Sequence, residues 1–274
     1  ARKKLEEARE IIAHCINAEP SEIAFTPSAT AACAIGFNAC ECHFVSPYEH
    51  KAVHHLYPFS STCGYAHMLV NNETGEDYGR KVRELAKIYS VFTDATAAVG
   101  QTYVDVKKLR VKALAAGGHK FGAFPGIGFV YVKGGIKDED AFPGTPPVAL
   151  AVAMAEALKY RTKYMDNSLR YLSVQYSVLM DKIMEIPGAY FTVGKESILH
   201  LANILSVRFD GVNARELLTM LDVNGVYASA GSACTADSEE PSRVLLASGL
   251  TEDQALSAIR LSFCPETTAE EFSF

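Results

Sequence analysis

Three short stretches of this sequence hold side chains that can do chemistry together. Lys120 ends the small-residue run Ala115-Ala116-Gly117-Gly118-His119-Lys120, Asp94 ends the apolar run Val91-Phe92-Thr93, and Cys234 sits in Ser232-Ala233-Cys234-Thr235. A lysine amine forms a Schiff base with pyridoxal phosphate, and an aspartate paired with the protonated pyridine nitrogen makes the ring an electron sink. The cysteine adds a nucleophile, in a loop of small and polar residues that closes on an acidic run and Pro241. Together the three read as a sulfur-transferring enzyme with a pyridoxal cofactor. Taken singly, a lysine at a strand end is an ordinary surface charge and Cys234 an ordinary loop thiol.

The elements that must position these groups are legible as alternating periods. Ile23 to Thr26 reads as a short strand, and Pro27-Ser28-Ala29-Thr30 leads from it into the helical run Ala31 to Ala39. Such a turn places hydroxyls and free backbone N–H groups where a phosphate can sit, although Ser and Thr cap ordinary helices in the same way. Further strands are expected at 66–70, at 91–93 ending on Asp94, at 109–116 leading to Lys120, and at 127–132. Helices are expected at 1–16 and 76–89. Strands alternating with helices imply an α/β protein with a mostly parallel, doubly wound sheet and functional groups at the carboxyl ends of its strands. The Gly-, Pro- and acid-rich segment 134–147 reads as a linker, followed by a long helical stretch over 148–184. Strands near 203–208 and 226–229 and a helix at 213–223 complete a smaller second part. The expected domains are 1–145 and 146–274.

Bulk properties narrow the class. A chain of 274 residues with 49% hydrophobic and 21% charged residues suits a soluble globular protein with one large and one smaller domain. The net charge of −6 and the lack of a basic block give no reason to expect nucleic acid. No apolar run is long enough for a membrane span, and the first ten residues are charged and helix-forming, unlike a secretory leader. Seven cysteines at irregular spacing argue against a disulfide framework and for a reducing compartment, the cytoplasm by default. The stretch from Cys40 to His67 is rich in Cys and His, but no pair has C-x₂-C spacing, so no metal site is expected. Cys15 and Cys33 read as small core residues, Cys264 is ambiguous, and Asn71 reads as structural.

In order along the chain, Thr26-Pro-Ser-Ala-Thr30, Glu49-His-Lys-Ala-Val53, Val70-Asn-Asn-Glu-Thr-Gly75, Asp94-Ala-Thr96, Gly118-His-Lys120, Gly126-Ile-Gly128, Gly231-Ser-Ala-Cys-Thr235 and Ala258-Ile-Arg-Leu-Ser262 can be picked out. This series resembles the motifs of the NifS/IscS-type cysteine desulfurases, which are class V aminotransferases of PLP fold type I. The resemblance implies a PLP-binding large domain and a smaller α+β C-terminal domain that carries the cysteine loop. It implies Lys120 as the Schiff-base lysine, Asp94 on the pyridinium nitrogen and His50 stacked on the ring. It gives the phosphate to Ser28, Ala29, Thr30 and His119, with Thr145 reaching the phosphate of the other subunit in a homodimer. Asn72 and Arg260 would bind the substrate carboxylate, and Cys234 would accept the sulfur. The implied reaction turns L-cysteine into L-alanine, leaves a persulfide on Cys234, and passes the sulfur to an acceptor protein of the scaffold (iron–sulfur cluster assembly) or tRNA-thiolation type. Selenocysteine lyase, another class V aminotransferase or lyase, and a homologue that has lost catalysis remain as alternatives.

The chain departs from the family pattern in places. Ala97 stands where the family usually has Gln, Gly117 where it has Ser, Ala31 where an acid is common, and Phe142 where an Arg is common. The family's N-terminal motif is missing and the span between His50 and Asn71 is shorter than usual, which fits a short natural homologue, a gene fragment or a trimmed sequence alike. Each hydrogen bond lost to a charged group would weaken cofactor binding by about 1.5–3 kcal/mol.

Overall fold

A computed structural model describes residues 1–56, 63–142, 144–193, 200–231 and 240–273. The chain divides into two compact units, one of Ala1–Val70 with Tyr78–Met165, the other of Asn71–Asp77 with Asp166–Phe274. The helix that follows Pro147 falls in the first unit.

The first unit opens with α1 (Arg2–Ile16), whose Leu5, Ala8, Ile12 and Ile16 form one buried face at helical spacing. Then follow β1 (Ile23–Thr26), α2 (Ala29–Ala39), β2 (Cys42–Val45), α3 (Lys51–His54), β3 (Gly64–Ala66), α4 (Gly79–Leu85), β4 (Val91–Asp94), α5 (Val106–Leu109), β5 (Ala113–Gly117), β6 (Gly128–Val132), α6 (Asp138–Ala141) and α7 (Val148–Lys163). The six strands form one sheet in the order β1-β6-β5-β4-β3-β2. The pairs from β2 to β5 are parallel, and β6 runs antiparallel to both its neighbours, so it alone is reversed. This is the mostly parallel α/β sheet the sequence implies. Strands β4, β5 and β6 are buried at every position. Such continuous apolar strands belong to sheets covered on both faces.

Helix α2 lies close over the sheet, and a Cβ added at Gly36 would come within 2.6 Å of the Phe92 ring. The expected strand over 109–116 is divided. Asp105 caps the short α5 by accepting from the Lys108 amide at 2.9 Å, Arg110 closes it in the left-handed region at φ 61°, and the strand begins only at Ala113. The expected helix over 76–89 is ordered as α4 across 79–85, and the expected strand over 66–70 pairs as β3 across 64–66.

The second unit contains α8 (Met165–Met184, whose first residue closes the first unit), β7 (Ala189–Phe191), β8 (Ile204–Phe209), α9 (Ala214–Val223), α10 (Arg243–Ala247), α11 (Glu252–Leu256), β9 (Ala258–Ser262) and α12 (Ala269–Ser273). Its three strands form an antiparallel sheet in the order β7-β8-β9. Leu205, Val207 and Ile259 on the sheet pack with Ile183, Ala189 and Ala214 as its core. The long helical stretch expected over 148–184 is two helices, broken at Tyr164. Instead of a strand at 226–229 there is a single bridge from Ser229 to Arg260. No described helix is long and apolar enough to cross a membrane.

Candidate active site

In the first unit, the carboxyl ends of β4 and β5 and the start of α2 carry the candidate cofactor residues. Asp94 is the last residue of β4, opposite Ala115 of β5, and only 5% exposed. Its Oδ1 accepts from the Thr96 amide at 2.9 Å. Two residues flank it with buried hydroxyls, Thr93 and Thr96, whose Oγ1 atoms have no hydrogen-bond partner among the described residues. Such orphaned polar atoms are expensive unless something polar meets them. Cys33, on the buried face of α2, hydrogen-bonds Asp94. Burial pushes its thiol well up, and the charges of Asp94 and Glu49 push the same way.

Lys120 follows β5 in a single 3-10 turn, Gly118–Lys120, and is exposed, as is His119. Two contacts fix this turn. Gln101 Nε2 donates to the Lys120 carbonyl at 2.6 Å. Gly100, at φ 75°, lies so close to Phe121 that a Cβ there would fall 2.4 Å from the Phe121 Cβ. The imidazole of His119, partly desolvated where its ring lies against Gly117, has its pKa lowered by that loss of water first and by the Lys120 charge second.

Across from this turn, Ser28 is the N-cap of α2, its Oγ accepting from the Ala31 amide at 3.1 Å. The first intrahelical bond runs from Ala32 N to Ser28 O, so the amides of Ala29 and Thr30 head the helix ahead of it. Gly117 brings the two elements together, since a Cβ at this position would meet the Ala29 Cβ at 2.9 Å and the His119 ring at 3.1 Å. The departure at 117 thus has a steric reason in this chain. His50 caps α3, and its Nδ1 accepts from the Ala52 amide at 3.2 Å, which leaves Nε2 to carry the proton. Glu49, fully buried, accepts from the Met68 amide. Thr145 is exposed, just ahead of α7.

This donor set suits a pyridoxal phosphate. It offers a primary amine, a buried carboxylate for a ring nitrogen, and a helix N-terminus with a hydroxyl for a phosphate. The unmatched Thr96 hydroxyl, just past Asp94, fits a site that a polar group completes, whereas Thr93, its strand neighbour, belongs to the other face of the sheet.

Asn72 and Arg260 come together in the second unit. Arg260 Nη1 donates to the Asn72 carbonyl at 2.8 Å, and Nε donates to Ser262 Oγ at 3.1 Å. Asn71, fully buried, shapes the turn, its Oδ1 accepting from the amides of Glu73 and Thr74 at 2.8 and 3.0 Å. Gly75 turns the chain at φ 79° against His200, which contacts the Thr74 carbonyl through Nε2 and the Leu201 carbonyl through Nδ1. The backbone of Arg260 exchanges hydrogen bonds with Ser229, ahead of the cysteine segment. Cys234 itself lies outside the described residues. Among those that are described, no group of three His, Cys, Asp or Glu side chains is arranged for a metal ion.

Sequence reasoning missed two groups near these sites. Cys33 was read as core, without its bond to Asp94. Glu73 was noticed only as part of a motif, and its burial, 8% exposed, had no local signal.

The aminotransferase class-V family matches over residues 59–140 and 137–273. A cysteine desulfurase IscS of Enterobacter sp. (strain 638) is 30% identical, with all of this chain and 80% of the relative covered. A cysteine desulfurase IscS of Methanosarcina thermophila is 31% identical over 74% of this chain and 53% of the relative. The chain therefore spans about half the length of several of the curated relatives it matches. Among solved structures, a NifS-like protein superposes with a TM-score of 0.83 at 25% identity, covering 99% of this chain and 85% of the other.

Proposed function

Because the chain belongs to the class-V aminotransferase family, among its NifS/IscS-type cysteine desulfurases, we propose that it is a pyridoxal-phosphate-dependent enzyme that converts L-cysteine to L-alanine. The observation that carries this reading is the grouping at one end of the first unit's sheet: Asp94 closing β4, Lys120 just past β5, and the head of α2 held against them at Gly117.

Bound pyridoxal phosphate would supply a carbonyl that condenses with amines and a ring that withdraws electrons from the substrate Cα. Lys120 would hold the cofactor carbonyl through its Nζ, and the same amine is the base placed to take the substrate Cα proton. The Asp94 carboxylate would pair with the ring nitrogen and keep it protonated. Ser28 still has its O–H to give while its Oγ accepts from Ala31, so with the amides of Ala29 and Thr30 and with His119 it would hold the phosphate. His50, with its proton on Nε2, would pack on the ring and could pass a proton there. Arg260, braced on Asn72 and Ser262, presents its guanidinium to the substrate carboxylate, which fixes the orientation of Cα.

The sulfur step falls to Cys234. Its thiolate attacks the substrate sulfur, an S–S bond forms, the C–S bond breaks, and the electron pair stays on the substrate carbon, which takes a proton. Thiol and L-cysteine thus give persulfide and L-alanine, and no outside oxidant is needed. The sulfur then passes to an acceptor protein of the scaffold or tRNA-thiolation type. The exposed Thr145 would serve the cofactor of a second subunit in a homodimer, and the cytoplasm is the compartment that the reduced thiols suit.

The test is to supply the protein with pyridoxal phosphate and L-cysteine and follow alanine and sulfide, with Cys234→Ala beside it. Alanine with Cys234-dependent sulfide supports the proposal. Bound cofactor without sulfide would point instead to a sister class V activity.

A further inference from the structure

Glu73 has no role in the assignments above, yet its surroundings in the second unit set it apart. Burial pushes its carboxyl above the ordinary 4.5, against the opposing pull of Ser242, Arg260 and Arg243. Ser242 Oγ donates to Glu73 Oε2 at 2.5 Å, joining residues 169 positions apart. A bond of that length to a buried carboxylate is of the strong, charge-assisted kind. The same Ser242 hydroxyl caps α10 by accepting from the Leu245 amide at 3.3 Å. On its backbone side, Glu73 is tied by its amide to Asn71 Oδ1. The carbonyl just before it, that of Asn72, receives Arg260 Nη1. Glu73 therefore shares one tight turn with the partner of the guanidinium and one hydrogen bond with the chain that follows the cysteine segment.

We propose that Glu73 is a positioning residue: its carboxylate pins the turn Asn71–Asp77 to Ser242, and through the Asn72 carbonyl that turn sets how Arg260 presents its guanidinium to the substrate carboxylate. This rests on the desulfurase reading and adds a residue to it. A carboxylate suits the place because a short, charge-assisted bond resists the bending of a seven-residue turn that a neutral contact would allow. A clamp that has drifted by an ångström binds a carboxylate poorly, so the consequence falls on substrate capture more than on chemistry.

The test uses the full chain loaded with pyridoxal phosphate, unchanged and as Glu73→Gln, Glu73→Ala, Ser242→Ala and the Glu73→Ala/Ser242→Ala pair. KM for L-cysteine is expected to rise about tenfold in each alanine variant while kcat stays within about threefold. The pair should be no worse than the worse single change, since both remove one bond. Glu73→Gln keeps an acceptor oxygen but loses the charge, so its KM should fall between those of the unchanged chain and Glu73→Ala. Additive losses in the pair, or a KM that ignores all these changes, would overturn the proposal. If the unchanged chain makes no alanine, the desulfurase reading fails and amide hydrogen exchange decides this one. Faster exchange at Gly75 and Leu245 in Glu73→Ala is then the expected result, and unchanged protection at both contradicts it.

Discussion

The two units hold their functional groups in different ways. In the first, Asp94 and the approach to Lys120 are ends of adjacent parallel strands, and the head of α2 is pressed against them where Gly117 leaves room. The sheet itself fixes the spacing. In the second, Arg260 stands on β9, but its guanidinium is held by a carbonyl from a seven-residue turn that lies 188 positions earlier in the chain. A group held by a sheet loses function mainly when its own chemistry is removed. A group held by a borrowed turn is also sensitive to residues that never meet the substrate.

The sharpest way to test that contrast is to remove one group from each unit. Lys120→Ala is expected to lower the alanine-forming rate by about 10²- to 10⁴-fold, the range for loss of a positioned acid–base group, with the fold intact by circular dichroism. Arg260→Ala should act on binding, raising KM for L-cysteine about tenfold or more, as expected for a lost hydrogen bond to a charged group. Steady-state kinetics on the two variants separates these outcomes. A large fall in kcat for Arg260→Ala with KM unchanged would break the comparison.

Two smaller effects sharpen the picture of the first unit. Gly117→Ser restores the residue common in the family, but its Cβ would meet Ala29 at 2.9 Å. It is expected to lower stability by about 1–3 kcal/mol in a urea titration, the range for overpacking. Tighter cofactor binding without that loss would show that α2 can move aside. The smallest effect is on pH. His67 is buried, its Nδ1 facing the Met68 carbonyl at 3.0 Å, and burial lowers its pKa from the ordinary 6.5. It stays neutral in the fold where an unfolded histidine takes a proton, so its contribution is full above about pH 6.5 and is lost as pH falls toward its lowered value. Urea midpoints between about pH 7.5 and about pH 5.5 should fall for the unchanged chain and fall less for His67→Gln.

Legibility in the sequence followed the same division. Strand β1 could be read to the residue because Pro20 and Pro27 bracket a short apolar run, and β4 because its apolar run stops at a charged Asp94. Helix α5 was hidden, since Val106 and Leu109 blend into the apolar run of β5 and only Asp105 marks the cap. The turn 71–77 carries no local sign that it belongs with the C-terminal unit, because every contact that places it there comes from far along the chain. Gly117 read as a missing phosphate ligand, whereas three-dimensional packing shows why a side chain is unwelcome there. The same limit hid Glu73, whose hydrogen-bond partner Ser242 lies 169 positions along the chain.

The central claim is that Lys120 is the lysine that holds the cofactor. The protein should be incubated with pyridoxal phosphate, reduced with borohydride, digested, and searched by mass spectrometry for the phosphopyridoxyl group. A single labelled peptide with the group on Lys120, lost in Lys120→Ala, is the expected result. No label, or a label spread over exposed lysines such as Lys107 and Lys108, would contradict the account.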